Sequence, residues 1–285
     1  MTAIVADLHS HAIASDGTDA PAQVARRAAA AGLRAFCLSD HDTVAGVAEA
    51  SIEAARLGVE VVPGTELTCY VEGREVHVLG YGIDIHHPAL LAHCATFQEA
   101  RIRRAREIGE RLAAAGVPVN MEAVMANADG GVVGRPHVAK ALIEAGHVKD
   151  FQEAFDRFLA DGRPACVGKM SVTAEECVEV IRDAGGVAVV AHPGLGKVET
   201  LIPVLLKAGA IGMEVWHSAH DTETSARLEV IANNRALFKT GGSDCHGTIK
   251  GMGPILGKWG MDEPRWKKFR AYLLENTHWG KLQKK

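Results

Sequence analysis

Two histidines stand at the end of the first short apolar run of this chain. Residues 3–6 read Ala-Ile-Val-Ala, which predicts a buried strand, and Asp-Leu-His-Ser-His follows at 7–11. Residues two apart on a strand point to the same face, so His9 and His11 are expected to project together at its carboxyl end. Two imidazoles placed in this way form half of a metal site, but a single His-x-His is equally common as ordinary polar surface.

Metal-ligating residue types recur in or just after later predicted strands, and this recurrence favours the metal site. Nine candidate ligands follow this pattern: His9, His11, Asp16, His41, Glu66, His77, His192, Asp244 and His246. Imidazole and carboxylate ligands without thiolate suit Zn, Mn or Fe rather than a structural zinc site. Since one ion takes about four ligands, the set predicts two or three divalent ions with a bridging carboxylate.

The elements that must position these ligands alternate between strand and helix. The alternation predicts a parallel sheet with crossover helices, a fold whose strand carboxyl ends carry the active site. Between them, residues 88–168 contain only helical patterns, such as those over 97–115 and 121–128. We therefore expect an α/β barrel formed by residues 1–87 and 169–285, with 88–168 as an inserted, mostly helical subdomain.

Composition excludes several classes of function. The chain has 285 residues, a formal net charge of −4 and no apolar run long enough to cross a bilayer. Broad binding to long nucleic acid or to a membrane is therefore not expected. Six scattered cysteines favour reduced thiols and a cytoplasmic location. Because neither a Walker loop nor a Gly-x-Ser-x-Gly elbow is present, metal-assisted hydrolysis is the favoured reaction class.

The ordered motifs also carry a family resemblance. Asp-Leu-His-Ser-His at 7–11, Asp-His-Asp at 40–42, Gly-Thr-Glu at 64–66, Ala-His-Pro at 191–193 and Ser-Asp-Cys-His at 243–246 resemble the PHP family. These are the polymerase and histidinol phosphatase metallophosphoesterases. The resemblance implies a distorted seven-stranded β/α barrel with a cluster of two or three metals at the strand ends.

The resemblance also implies how the ligands divide among the metals. His9, His11, Glu66 and Asp244 would hold the first ion. Glu66 would bridge to a second ion, held with His77 and His192. The third would be held by Asp16, His41 and His246, where many relatives carry His in place of Asp16. Glu66 and Asp244 would thereby act in catalysis.

Two further motifs indicate a subgroup within this family. Gly-Arg-Pro-His at 134–137 and Gly-Met-Glu-Val-Trp-His at 212–217 resemble the stand-alone bacterial PHP phosphoesterases. These act on nucleoside 3′,5′-bisphosphates or on the 5′ end of short RNA. The resemblance implies loss of the 3′-phosphate, which leaves a nucleoside 5′-monophosphate. Three alternatives stay open: 5′-to-3′ trimming of short RNA, histidinol phosphate phosphatase activity, and a non-catalytic nucleotide-binding accessory module.

Three residues outside the ligand set are candidates for substrate contact. Arg135 precedes Pro136 at a predicted helix start, which suits an anion pocket, although a surface arginine fits the pattern equally well. His137 is a candidate for phosphate binding. His217 is assigned to phosphate binding or to protonation of the leaving group, for which an imidazole pKa is suited. The helical insertion is expected to cap the site, and His220 to lie on the surface.

Overall fold

The computed structural model describes residues 3–126, 133–168, 170–248 and 254–284. Eight strands form one sheet of order β7-β6-β5-β4-β3-β2-β1-β8. They are β1 (Ile4–Asp7), β2 (Ala35–Leu38), β3 (Glu60–Val71), β4 (Arg74–Tyr81), β5 (Val187–Val190), β6 (Gly212–His217), β7 (Phe238–Gly242) and β8 (Met261–Asp262). The predicted α/β barrel is confirmed, with the two-residue β8 added at the edge beside β1.

Helices connect and surround these strands. They are α1 (Pro21–Ala30), α2 (Val47–Leu57), α3 (Pro88–Ala114), α4 (Met121–Ala126), α5 (Arg135–Glu144), α6 (Phe151–Ala154), α7 (Ala174–Asp183), α8 (Ile202–Ala208), α9 (Thr222–Asn234), α10 (Glu263–Asn276) and α11 (His278–Gln283). The sequence signals explain several starts. Thr173 accepts a hydrogen bond from the Glu176 backbone N–H, and the Glu176 side chain accepts one from the Thr173 backbone N–H, as the capping box predicts.

The sheet departs from the predicted parallel arrangement at two places, one of which is the antiparallel pairing of β8 with β1. The other is the strand β4. Strand β4 runs antiparallel to both β3 and β5. A two-residue turn at Glu72 and Gly73 reverses the chain, with φ of 51° and 75°. Such φ values at both central residues are those of a type I′ hairpin turn. The sequence Glu-Gly lacks the usual Asn-Gly or Asp-Gly signal of this turn, which is why the hairpin was not expected.

Strands β1 and β7 contact each other at their carboxyl ends. The Leu8 backbone N–H donates to the Gly241 carbonyl at 3.1 Å, and the Asp244 N–H donates to the His9 carbonyl at 2.9 Å. The contact is close because Gly242 has no side chain: a Cβ there would lie 2.3 Å from the His9 Cβ. These bonds bring the first and last ligand motifs of the chain side by side.

The chain divides into two compact units. Met1–Cys94 with Ser171–Lys285 forms the first, and Ala95–Met170 forms the second. The first division falls inside α3, seven residues beyond the predicted boundary at residue 88. The second unit has a core of its own, which includes Ile108, Leu142 and Leu159, each fully or almost fully buried. Capping of the site by this unit stays a prediction.

The helix predicted over 121–128 is present as α4 over residues 121–126. Residues 127 and 128 lie outside the described part of the chain. Within that described part, none of the helices has both the length and the apolar content needed to cross a bilayer.

Candidate metal centre

Glu66, on β3, lies at the centre of the candidate site. Its side chain is fully buried. Five imidazoles lie around its two carboxylate oxygens, at the following nitrogen-to-oxygen distances: His9 Nε2 3.1 Å, His11 Nε2 3.4 Å, His41 Nδ1 3.1 Å, His77 Nδ1 3.0 Å and His192 Nε2 3.0 Å. His77 and His192 approach Oε1, while the other three approach Oε2. One carboxylate thus has a different set of imidazoles at each oxygen, as a bridging ligand requires.

Asp244, just after β7, is a second shared carboxylate. Its Oδ1 lies 3.0 Å from His11 Nε2 and 3.4 Å from His9 Nε2. Together with Glu66 these residues form a group whose ligand atoms all lie within 4.8 Å of one another. The grouping contains the four residues that the family resemblance assigns to the first ion.

Asp16 lies close to a third group of imidazoles. His246 Nε2 lies 3.2 Å from its Oδ1, and His11 Nδ1 and His41 Nε2 lie 3.9 Å from its oxygens. Their ligand atoms again lie within 4.8 Å of one another. All nine predicted ligands therefore converge on one region.

Unusual backbone conformations position part of this site. Asp42, His192 and Asp244 adopt left-handed φ values of 52°, 27° and 53°. Each costs about 1–3 kcal/mol for a residue other than glycine and persists only where its surroundings hold it. The Asp42 carboxylate, for example, accepts hydrogen bonds from both the backbone N–H and the hydroxyl of Thr68. The strain is located where the chain turns a ligand toward the centre.

Hydrogen bonds at the outer ring nitrogens select the nitrogen that faces the centre. His246 Nδ1 donates to the Asp244 carbonyl at 2.9 Å, which leaves the Nε2 lone pair facing Asp16. His77 is turned the other way: Nε2 lies 3.3 Å from Glu75 Oε1, so Nδ1 faces Glu66. Orientation of a ligating imidazole by such a partner is usual in metal sites.

The donor set fits a divalent metal cluster. Several buried ring nitrogens, including both of His11 and Nδ1 of His41, make no well-aligned hydrogen bond within the described residues. A buried polar atom without a partner is costly, and a cation bound at the deprotonated nitrogen of each ring would satisfy that nitrogen. Imidazole and carboxylate donors at this density suit Zn, Mn or Fe.

Burial and neighbouring charges shift the pKa values of the site side chains in opposite directions. Burial disfavours a charged imidazole, but Asp244 and Glu66 outweigh it at His11, and Glu66 and Glu75 outweigh it at His77, so both imidazoles have a pKa raised to about 10. At His41 burial prevails and lowers the pKa to about 4. Burial also opposes ionisation of Glu66, yet His41, His9 and His77 hold its pKa well below the usual value. The site is built to hold positive charge.

His217 lies beside the cluster but is oriented differently from the ligands. Its Nδ1 accepts a hydrogen bond from the Ala219 backbone N–H at 3.1 Å. In the neutral ring, Nε2 therefore carries the proton, and it lies 3.4 Å from Asp244 Oδ2. A nitrogen that carries a proton donates hydrogen bonds and does not ligate a metal.

Two buried residues of this region were missed or misplaced by the sequence interpretation. Glu214, on β6, is fully buried, and its Oε2 lies 3.0 Å from His9 Nδ1. An acidic residue in the middle of an apolar strand was the signal that could have found it. His220 was expected on the surface, but it is only 6% exposed and is held by Gly194 N–H and the Val215 carbonyl. Its ring joins the loop at Gly194 to strand β6 and was misjudged because its partners are backbone groups.

Arg135 and His137 begin α5 in the second unit, as the sequence predicted. Arg135 donates to the Leu159 carbonyl at 3.1 Å and to Asp161 at 3.0 Å. His137 Nδ1 accepts a hydrogen bond from the Gly134 backbone N–H. These contacts anchor the helix start, and the predicted role in substrate binding stays a prediction.

Comparison with known proteins agrees with this geometry. The PHP domain model matches residues 7–160. The chain is 35% identical to the 3′,5′-nucleoside bisphosphate phosphatase of Chromobacterium violaceum, over 94% of this chain and 97% of the relative. It is 36% identical to a 5′-3′ exoribonuclease of Haemophilus influenzae, over 92% of this chain and 98% of the relative.

A solved structure extends the likeness to three dimensions. It comes from Bifidobacterium adolescentis and is assigned to the metal-dependent phosphoesterases. The two chains superpose with a TM-score of 0.82 at 31% identity, over 93% of this chain and 95% of the other. The family model, the full-length relatives and the ligand geometry agree, and we conclude that this chain belongs to the PHP family and is a metal-dependent phosphoesterase.

Proposed function

We propose that this enzyme removes the 3′-phosphate of nucleoside 3′,5′-bisphosphates and releases a nucleoside 5′-monophosphate and phosphate. The observation that carries the proposal is the convergence of imidazoles around Glu66 and Asp244, since a compact cationic centre suits a small phosphomonoester. The full-length similarity to a bisphosphate phosphatase supports this substrate class.

Two or three divalent ions are the proposed cofactors, with Mn, Zn and Fe as the candidate metals. Their ligands would divide into three groups, two of which share Glu66: His9, His11, Asp16, His41, Glu66, His77, His192, Asp244 and His246. When bound, such ions neutralise charge on the phosphoryl oxygens and lower the pKa of water. The protein contributes the arrangement: the two oxygens of Glu66 face different sets of imidazoles.

His217 would serve the leaving group. Its buried ring is held by the Ala219 N–H at Nδ1, so the Nε2–H is directed toward Asp244 and the centre. From there Nε2 can donate a hydrogen bond to phosphate or a proton to the departing sugar oxygen. Transfer of a proton by a positioned imidazole contributes about 10²–10⁴-fold to a rate.

Substitution His217→Gln separates these two roles. For a nucleoside 3′,5′-bisphosphate we expect kcat to fall by about 10²–10⁴-fold, because the amide cannot transfer a proton. With 4-nitrophenyl phosphate, whose leaving group needs no proton, kcat should change far less. A rise in KM for both substrates with kcat unchanged would assign His217 to phosphate binding instead. His86→Gln, at an exposed histidine, is the matched control and should leave both substrates unaffected.

The substrate class is tested by phosphate release from a panel. The panel contains nucleoside 3′,5′-bisphosphates, 3′- and 5′-monophosphates, histidinol phosphate and short 5′-phosphorylated RNA, each with the metal-reconstituted protein. We expect the highest kcat/KM for the bisphosphates, with a nucleoside 5′-monophosphate as product. A preference for histidinol phosphate, or equal rates for monophosphates and bisphosphates, would contradict the proposal.

Arg135 and His137 are proposed to recognise the second phosphate. Arg135→Ala should lower the preference for bisphosphate over 3′-monophosphate by about 10–100-fold, as expected for a charge-assisted hydrogen bond of 1.5–3 kcal/mol. Asp161→Ala removes the ion-pair partner of Arg135 but keeps the guanidinium, so it controls for damage to the helix start. Arg157→Ala removes another arginine of the same unit. An unchanged preference in Arg135→Ala would remove this role.

Trimming of short 5′-phosphorylated RNA is the second candidate, supported by the similarity to an exoribonuclease. The RNA in the panel addresses it directly, through release of 5′-mononucleotides. The formal net charge of −4 argues against tracking along long nucleic acid. A cytoplasmic compartment is proposed as well, which the six unbridged cysteines favour.

A further inference from the structure

Glu214 connects two metal-ligand positions without being one of the predicted ligands. It lies on β6, and its carboxylate is fully buried. One oxygen, Oε2, is 3.0 Å from His9 Nδ1 and accepts the His192 backbone N–H at 2.9 Å. His9 belongs to the group around Asp244, whereas His192 approaches the opposite oxygen of Glu66. A single buried oxygen therefore contacts ligands on both sides of the centre.

The hydrogen bond to His9 determines which ring nitrogen faces the metals. An ionised carboxylate accepts only, so Nδ1 of His9 must carry the proton. Nε2 is then the nitrogen available to a metal, and it lies 3.1 Å from Glu66 Oε2 and 3.4 Å from Asp244 Oδ1. At His192 the same oxygen holds a backbone whose φ of 27° is strained for a residue other than glycine.

Direct ligation by Glu214 is the competing interpretation, because His9, Glu214 and His217 also form a compact group. Two observations count against it. His217 accepts the Ala219 N–H at Nδ1, so its Nε2 is protonated in the neutral ring. In addition, the Glu214 oxygen that faces His9 is already occupied by two N–H donors, so ligation would have to use Oε1, which makes no hydrogen bond within the described residues.

We propose that Glu214 is a positioning residue that fixes the tautomer of His9 and the backbone of His192, and thereby sets the affinity of two adjacent metal positions. The inference rests on the metal centre of the proposed function but not on its substrate. Its primary readout is metal binding, so it can fail while the substrate proposal stands, and the reverse also holds.

The test compares two substitutions of similar volume. In Glu214→Gln the amide oxygen can take the place of Oε2 and accept both N–H groups. In Glu214→Met the volume is kept but the acceptor is lost. We expect Mn²⁺ affinity, measured by chelator competition on metal-free protein, to fall about 10–100-fold in Glu214→Met, as is usual when a hydrogen-bond partner of a ligand is removed. Glu214→Gln should recover most of that loss.

A control and a second measurement separate this role from a general loss of stability. Asp262→Asn removes a buried carboxylate that caps α10, away from the ligands, and should leave Mn²⁺ affinity unchanged. Long-range ¹H–¹⁵N spectra of the Zn²⁺-loaded protein should show His9 protonated at Nδ1 in wild type and in Glu214→Gln. These spectra decide the case if Glu214→Met fails to fold.

Two results would overturn the proposal. Wild-type Mn²⁺ affinity in Glu214→Met would show that the contacts are structural only. Equal damage in Glu214→Gln and Glu214→Met, with the His9 tautomer unchanged in Glu214→Gln, would assign Glu214 as a direct ligand.

Discussion

Glu66→Gln should nearly abolish turnover and reduce the amount of bound metal. The substitution keeps the size of the side chain but replaces a charged oxygen by an NH₂ group, which would face some of the five surrounding imidazoles. Without the bridging carboxylate, the metals can no longer stabilise the transition state by several kcal/mol. Since 1.36 kcal/mol of activation free energy corresponds to a tenfold change in rate, we expect kcat to fall by about 10³-fold or more.

The measurement pairs kcat with metal content determined by elemental analysis after gel filtration. Glu60→Gln is the matched control, because Glu60 lies on the same strand and forms an ion pair with Arg270 instead of contacting the imidazoles. It should keep both metal and turnover. A Glu66→Gln protein that retains its full metal content and its kcat would refute the central role of this carboxylate.

Metal loading should release protons and strengthen steeply with pH. In the metal-free protein, neighbouring carboxylates raise the pKa of His11 and of His77 to about 10, so both rings are protonated at neutral pH. A ligand must give up the proton of the coordinating nitrogen. Two protons released predict that overall affinity rises by about 100-fold per pH unit between roughly pH 7 and 9.

The stability of the metal-free protein should change in the opposite sense. A raised imidazole pKa stabilises the folded state below the unfolded value of 6.5, and this contribution is lost as pH rises toward about 10. Metal-free protein should therefore lose stability over that range, while metal binding improves.

Titration calorimetry in two buffers of different ionisation enthalpy counts the protons. His77→Ala should release about one proton fewer, and His86→Gln should match wild type. Loading without proton release, or affinity independent of pH, would show that these rings are already neutral in the metal-free protein.

The sequence was sufficient to predict which side chains converge on the centre, because chemistry and periodicity agree there. His9 and His11 follow a buried strand at a spacing of two, and both rings meet Glu66 as that spacing requires. The reversal of β4 was not predictable from the same signals, because Glu72 and Gly73 supply an uncommon turn sequence. His77 nevertheless reaches Glu66 from this antiparallel strand, diagonally across the β3–β4 pair, where Thr68 is the residue opposite His77.

Glu214 illustrates a different limit. A strand pattern predicts which residues face inward, but not which inward residue touches a ligand from a strand distant in the chain. Its contact with His9 joins residues 205 positions apart. The prediction for Arg135 is limited for another reason. Its guanidinium donates to the Leu159 carbonyl and to Asp161, and neither contact identifies a substrate.

The seam between β1 and β7 has a consequence for how the protein is made. Leu8 and His9 are synthesised 233 and 235 residues before their backbone partners, Gly241 and Asp244. A nascent chain already carries six of the nine ligands by residue 77, yet it cannot complete the centre before Asp244 and His246 emerge. Ion capture in the assembled geometry therefore has to wait until the segment that contains Asp244 and His246 has been synthesised, and a chain interrupted before that segment would carry most of the ligands without the enclosure that orders them.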